Sequence, residues 1–119
     1  MTMIARLALV AVLLSAQSAG AQDIGGLYAV QGTNFNGSSY GGQAEIVLTS
    51  DVTCAITWTT GSTTSIGICM RSDEVFSAAY QMGAAVGLAI YRIRNDGVLD
   101  GSWTIAGQNG VGYEVLVPQ

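Results

Sequence analysis

Residues 54–69, CAITWTTGSTTSIGIC, place two seven-residue β-rich runs on either side of Gly61-Ser62. Glycine first in a two-residue loop is the signature of a type II′ hairpin turn, whose first central position needs a positive φ. Such a loop pairs Thr60 with Thr63, and counting outward sets Cys54 directly opposite Cys69. The spacing therefore predicts a hairpin whose strands are joined by a disulfide. By the same count the cysteines form a hydrogen-bonded pair with Cα atoms about 5.5 Å apart, which is within disulfide range. A bulge or a longer turn is the alternative if the side chains diverge.

The rest of the chain downstream of residue 21 reads the same way. Short runs rich in Val, Ile, Thr and Tyr are separated by Gly, Asn, Asp and Ser, and no helical period appears. Strands are expected near 26–31, 40–49, 52–60, 63–70, 74–82, 85–94, 98–106 and 111–117. Eight strands at about 12 residues each match the spacing of an all-β barrel or sandwich. The run from Ser77 to Leu88 is the most ambiguous, since its alanines also suit a helix, but Gly83 and Gly87 oppose one. Glycines within strands (Gly42, Gly67, Gly87, Gly101) permit the bends of a small closed barrel. The fold expected is an eight-stranded antiparallel meander barrel, with a β-sandwich as the alternative.

Two further turns set expectations for the interior. Asp96-Gly97 reads as a type I′ loop, which pairs Ile90 with Trp103 and Leu88 with Ile105 and turns Tyr91 outward beside Ser102. Asn109-Gly110, read likewise, places Trp103 opposite Leu116. Leu88, Ile90, Trp103, Ile105 and Leu116 are thus the expected barrel interior. Glu114 falls on the same face, beside Ile105. Because a buried, unpaired Glu is rare, it is expected at a barrel mouth in water.

The 119 residues open with Arg6, an apolar run from Leu7 to Leu14, and Ala19-Gly20-Ala21. This is the tripartite pattern of a secretory signal peptide over 1–21, leaving a single domain over 22–119. The run is too short to span a bilayer, so stable membrane insertion is not expected. Export makes a Cys54–Cys69 disulfide the simplest use of the only two cysteines. The mature part carries three Arg against eight Asp and Glu, and the chain has neither Lys nor His. An acidic domain without a basic stripe is not built for nucleic acid. Without His, no serine or cysteine nucleophile has its usual base, and the commonest metal ligand is missing. No catalytic residue, metal site or cofactor is expected.

Several stretches resemble a group of small exported bacterial β-rich proteins, some of which carry the name fibronectin-binding protein. The resemblance lies in Gly26-Leu-Tyr28-Ala-Val30-Gln-Gly32-Thr-Asn34, Asn36-Gly37, Tyr40-Gly41, Cys54-Ala-Ile56-Thr-Trp58-Thr-Thr-Gly61 and Gly67-Ile-Cys69-Met70. It continues through Val86-Gly87-Leu88-Ala-Ile-Tyr91, Gly97-Val-Leu99-Asp-Gly101-Ser-Trp103-Thr104 and Ala106-Gly107-Gln108-Asn-Gly110-Val-Gly112. It implies fibronectin binding as a function and identifies no functional residue. Gly26-Leu27-Tyr28 is also similar to the Gly-x-aromatic opening of avidin-like and lipocalin-like barrels, with Tyr in place of the usual Trp.

Seven aromatics, Tyr28, Tyr40, Trp58, Tyr80, Tyr91, Trp103 and Tyr113, are expected mainly to pack the core of so small a domain. Tyr91, turned outward by its register, and Phe35, in the loop 32–39, are the expected protein-binding surface. The function expected is a non-enzymatic exported binding protein, periplasmic or extracellular, with a host matrix or secreted protein as partner. The alternatives are a small-ligand carrier and a periplasmic hydrolase inhibitor. An adhesin calls for a filled interior, and a carrier for an open cavity of several hundred Å³.

Overall fold

The computed structural model describes residues 23–119; the expected signal peptide and its cleavage site lie outside the described residues. Eight strands follow one another: β1 Gly26–Thr33, β2 Ser39–Leu48, β3 Thr53–Thr60, β4 Thr63–Ser72, β5 Val75–Met82, β6 Ala85–Ile93, β7 Leu99–Ile105 and β8 Gly112–Pro118. Each is antiparallel to the next, and β8 returns to pair with β1, so the sheet closes into a meander barrel and not a sandwich. Closure leaves no strand edge unpaired, which suits a chain with no Lys to guard one.

The hairpin of residues 54–69 forms as its spacing dictates. Thr60 pairs with Thr63, Gly61 takes φ +62°, and Cys54 faces Cys69 with Cα atoms 4.9 Å apart and their sulfurs bonded. The ambiguous run resolves the same way. Gly83, at φ +58°, lies in a two-residue loop between paired Met82 and Ala85, and both flanks are strands.

The turn between β6 and β7 departs from expectation, with consequences for every side chain beside it. Gly97 alone takes a positive φ (+83°); its N–H donates to the Arg94 carbonyl, and Arg94 N–H donates to the Val98 carbonyl. The Asp96 carboxylate accepts from Val98 N–H and pairs with Arg94 at 2.8 Å. This is a type I turn followed by a one-residue bulge, not a two-residue type I′ loop. The extra residue slips the register by one, and a one-residue slip exchanges the two faces of a strand. Ala89 therefore pairs with Trp103, and Tyr91 with Gly101. Leu88 and Ile90, expected inside, are 60% and 54% exposed on the outer wall, and Tyr91, expected outside, is 1% exposed in the core.

Between β7 and β8 the register moves by four. A type II turn over residues 105–108, with Gly107 at φ +84°, replaces the Asn109-Gly110 loop, so Trp103 pairs with Gly112 and Leu99 with Leu116. An even shift preserves the faces. Trp103, Ile105, Glu114 and Leu116 all point inward.

The barrel has two unlike ends. Loops β2–β3, β4–β5 and β6–β7 meet both described termini at one end, and the interior there is packed. Ile46, Ile56, the disulfide, Phe76, Ile93, Leu99 and Leu116 fill it, and Ile24 closes it from below, its carbonyl accepting a 2.7 Å bond from the Tyr28 hydroxyl. Toward the other end, inward glycines leave room for rings on the adjacent strand. A Cβ at Gly101 would collide with the Tyr91 ring, and one at Gly112 with the Trp103 indole. Glycine is required there by close approach, and the bare backbone is covered by an aromatic from next door.

Candidate functional site

Glu114 sits midway along β8 and is 5% exposed. Three donors from three other strands converge on it. The Tyr40 hydroxyl on β2 donates to Oε1 at 2.8 Å, the Trp58 indole N–H on β3 donates to Oε2 at 3.0 Å, and the Tyr91 hydroxyl on β6 also donates to Oε2. The carboxyl expected in water at the barrel mouth is instead buried and satisfied within the barrel. Burial pushes its pKa up, and the bonds from Tyr91, Tyr40 and Trp58 pull it back down in that order. The opposite pressures reflect a charge removed from water but supplied with donors.

The tyrosines register the same field. Burial raises the Tyr91 and Tyr40 hydroxyls well above the ordinary phenol range, and the neighbouring Glu114 charge raises both further. Tyr80 is pushed up to about 12 by burial and then by Glu114. Each stays a protonated donor at neutral pH.

Above Glu114 the barrel is not filled. A cavity of about 430 Å³ opens between the loops of the unplugged end, lined by Tyr40, Trp58, Ser65, Tyr80, Trp103 and Glu114 among others. Its walls are mutually braced. Trp58 and Tyr80 meet edge to face at 5.3 Å, Tyr40 and Trp103 at 6.2 Å, and the Tyr80 hydroxyl donates to the Thr104 carbonyl at 3.0 Å. Phe35 leans in from the β1–β2 loop and stacks on Trp103 at 4.8 Å, against the backbone of Gly110. Thr104 Oγ1 holds that backbone by donating to the Gly110 carbonyl at 2.7 Å. The Trp103 indole N–H is buried with no acceptor.

The outer wall carries a different feature. Ser77 and Ala79 on β5 form the floor of a shallow apolar trough of about 800 Å³, flanked by Ile68 and Met70 on β4 and by Leu88 and Ile90 on β6. Among the described residues no three His, Cys, Asp or Glu side chains gather as a metal site would require.

Of the residues singled out from sequence, Trp103 lines the cavity, Ile105 points inward near the open end and Leu116 belongs to the plugged half. Phe35 is 36% exposed at the mouth, and Tyr91 is not on the surface with it but buried inside the barrel, where it helps line the cavity. Tyr40, Trp58 and Tyr80 carry the site, although the sequence reading expects them mainly to pack the core. A signal for two of them is present, since Tyr40 shares a strand face with Ala44 and Ile46, and Trp58 with Cys54 and Ile56.

No family model matches the chain, and no curated protein matches it. Among solved structures, a de novo designed fluorescence-activating β-barrel superposes with a TM-score of 0.65 at 13% identity, covering 80% of this chain and 93% of that one. At that identity the likeness is one of fold.

Proposed function

We propose that this chain is an exported, non-enzymatic barrel that holds a small organic ligand in the cavity above Glu114. The observation that carries the reading is the half-filled interior. One end is packed and plugged by Ile24, while the other keeps about 430 Å³ open, inside the 300–1,000 Å³ range of small-molecule sites. Aromatic walls with a few convergent polar groups are the usual lining of such sites. The Cys54–Cys69 bond is consistent with an oxidising, extracytoplasmic location. The designed barrel to which the fold is similar is described as fluorescence-activating, a property that supports a ligand-holding reading by analogy of architecture only.

The second reading is the binding of an extracellular protein such as fibronectin, and the apolar trough over β4–β6 favours it. Native mass spectrometry of the protein recovered from its producing cells, before and after denaturation, distinguishes the two. Release of a stoichiometric small molecule supports the cavity reading. A barrel that carries nothing, yet is retained on immobilised fibronectin and loses retention on Leu88→Asp, would move the function to the outer wall.

A further inference from the structure

The charges of the described residues are sorted by end. The four loops around the cavity mouth, residues 34–38, 61–62, 83–84 and 106–111, contain no charged side chain. Arg71, Arg92 and Arg94 all lie toward the plugged end, where β4 and β6 finish. Asp51, Asp73, Glu74 and Asp96 occupy the turns of that same end. Among the described residues, Glu114 is the one ionisable carboxyl on the cavity wall, and no cationic side chain lines it.

The geometry points to an organic ammonium ion with an apolar body as the ligand class. This rests on the cavity being a ligand site. Three donors occupy three of the roughly four lone-pair sites of a carboxylate, leaving one for a ligand N–H. The rings of Tyr40, Trp58, Tyr80 and Trp103 share the cavity wall with Glu114, and aromatic faces attract cations. The low-dielectric wall strengthens both attractions. An anionic ligand would meet the carboxylate with no base among the cavity-lining residues to compensate it, and a neutral one would bring no opposite charge to it.

The two tryptophans of the chain are both in the cavity wall, so intrinsic fluorescence reports occupancy directly. Three probes of nearly equal shape, 2-phenylethylammonium, 2-phenylethanol and 3-phenylpropionate, are titrated into the full-length exported protein at pH 7.5. The ammonium ion is expected to bind at least about tenfold more tightly than the alcohol, with no detectable binding of the carboxylate. Glu114→Gln is expected to bring the ratio of ammonium to alcohol affinity down to about one. Should Glu114→Gln fail to fold, the comparison of the three probes on the wild-type chain decides alone. Equal affinity for ammonium ion and alcohol, or tighter binding of the carboxylate, overturns the charge preference and leaves the cavity reading standing. Silence of both tryptophans toward all three probes overturns both.

Discussion

Replacing Tyr91 by Phe removes one oxygen from the centre of the barrel and leaves everything else in place. The ring is 1% exposed and stacks on Phe76 at 5.1 Å, so volume and packing are kept. What is lost is the strongest of the three bonds that hold Glu114 down toward its ordinary pKa. A hydrogen bond to a charged acceptor contributes about 1.5–3 kcal/mol net, and one to a neutral acceptor about 0.5–1.5 kcal/mol. Because Tyr40 and Trp58 still serve the carboxylate, the expected cost at pH 7.5 is about 2 kcal/mol, or roughly 8–16 °C in Tm for a domain of this size.

The cost should depend on pH in one direction. Glu114 is raised in the folded state, so the stability linked to its protonation is full below the unfolded value of about 4.3 and is lost as pH rises through the folded value. Tyr91→Phe raises the folded value further and extends that loss to higher pH. The variant should therefore lie closest to wild type near pH 4, about 1 kcal/mol below it, and fall away toward neutrality. Urea unfolding followed by tryptophan fluorescence, with m-values checked for constancy, gives the difference at each pH. A cost that is the same at pH 4 and pH 7.5, or under about 0.5 kcal/mol at both, would refute the assignment of this bond to a charged acceptor.

The bulged β6–β7 turn makes a paired prediction. Leu88→Ala on the outer wall should change stability by no more than about 0.5 kcal/mol, whereas Leu116→Ala in the plugged half should cost about 2–5 kcal/mol; a cost at Leu88 as large as that at Leu116 in urea melts would restore the type I′ register. The disulfide closes a 15-residue separation, so the double replacement Cys54→Ser with Cys69→Ser should cost about 3 kcal/mol in the chain-entropy model. Non-reducing peptide mapping of the wild-type protein should find the two cysteines in one linked pair.

The barrel is legible in the sequence because its evidence is local. Gly61 sets the hairpin, and with it the Cys54–Cys69 pairing, from residues within one turn of chain. Asp96-Gly97 misleads because a type I′ loop and a bulged type I turn use the same dipeptide. The choice between them rests on whether Asp96 or only Gly97 adopts a positive φ, and that is set by the Asp96 carboxylate capping Val98 and pairing with Arg94. One residue of difference is enough to exchange Tyr91 with Leu88 and Ile90. The Asn109-Gly110 error is larger in residues and harmless in effect, since an even shift leaves Trp103 and Leu116 facing inward. Glu114 is placed on the correct face and given the wrong surroundings. Its donors come from 23, 56 and 74 residues away, and only barrel closure brings β2, β3 and β6 around β8.

Ile24 and Gln119 lie at the same end, with Gln119 N–H donating to the Leu27 carbonyl and both bordering the 94–98 turn. The mouth is the full height of the barrel away. Any tag, dye or surface linkage joined at Gln119 therefore starts on the far side from the cavity. A chip or bead coupled through that residue holds the protein mouth outward, with every binding site facing solution and none shadowed by its own attachment. The outer trough over β4–β6 then stands sideways to the surface, where crowding between neighbours would cover it first. Coupling density thus becomes a control: a ligand taken by the cavity should bind alike on sparse and dense surfaces, and one taken by the wall should not.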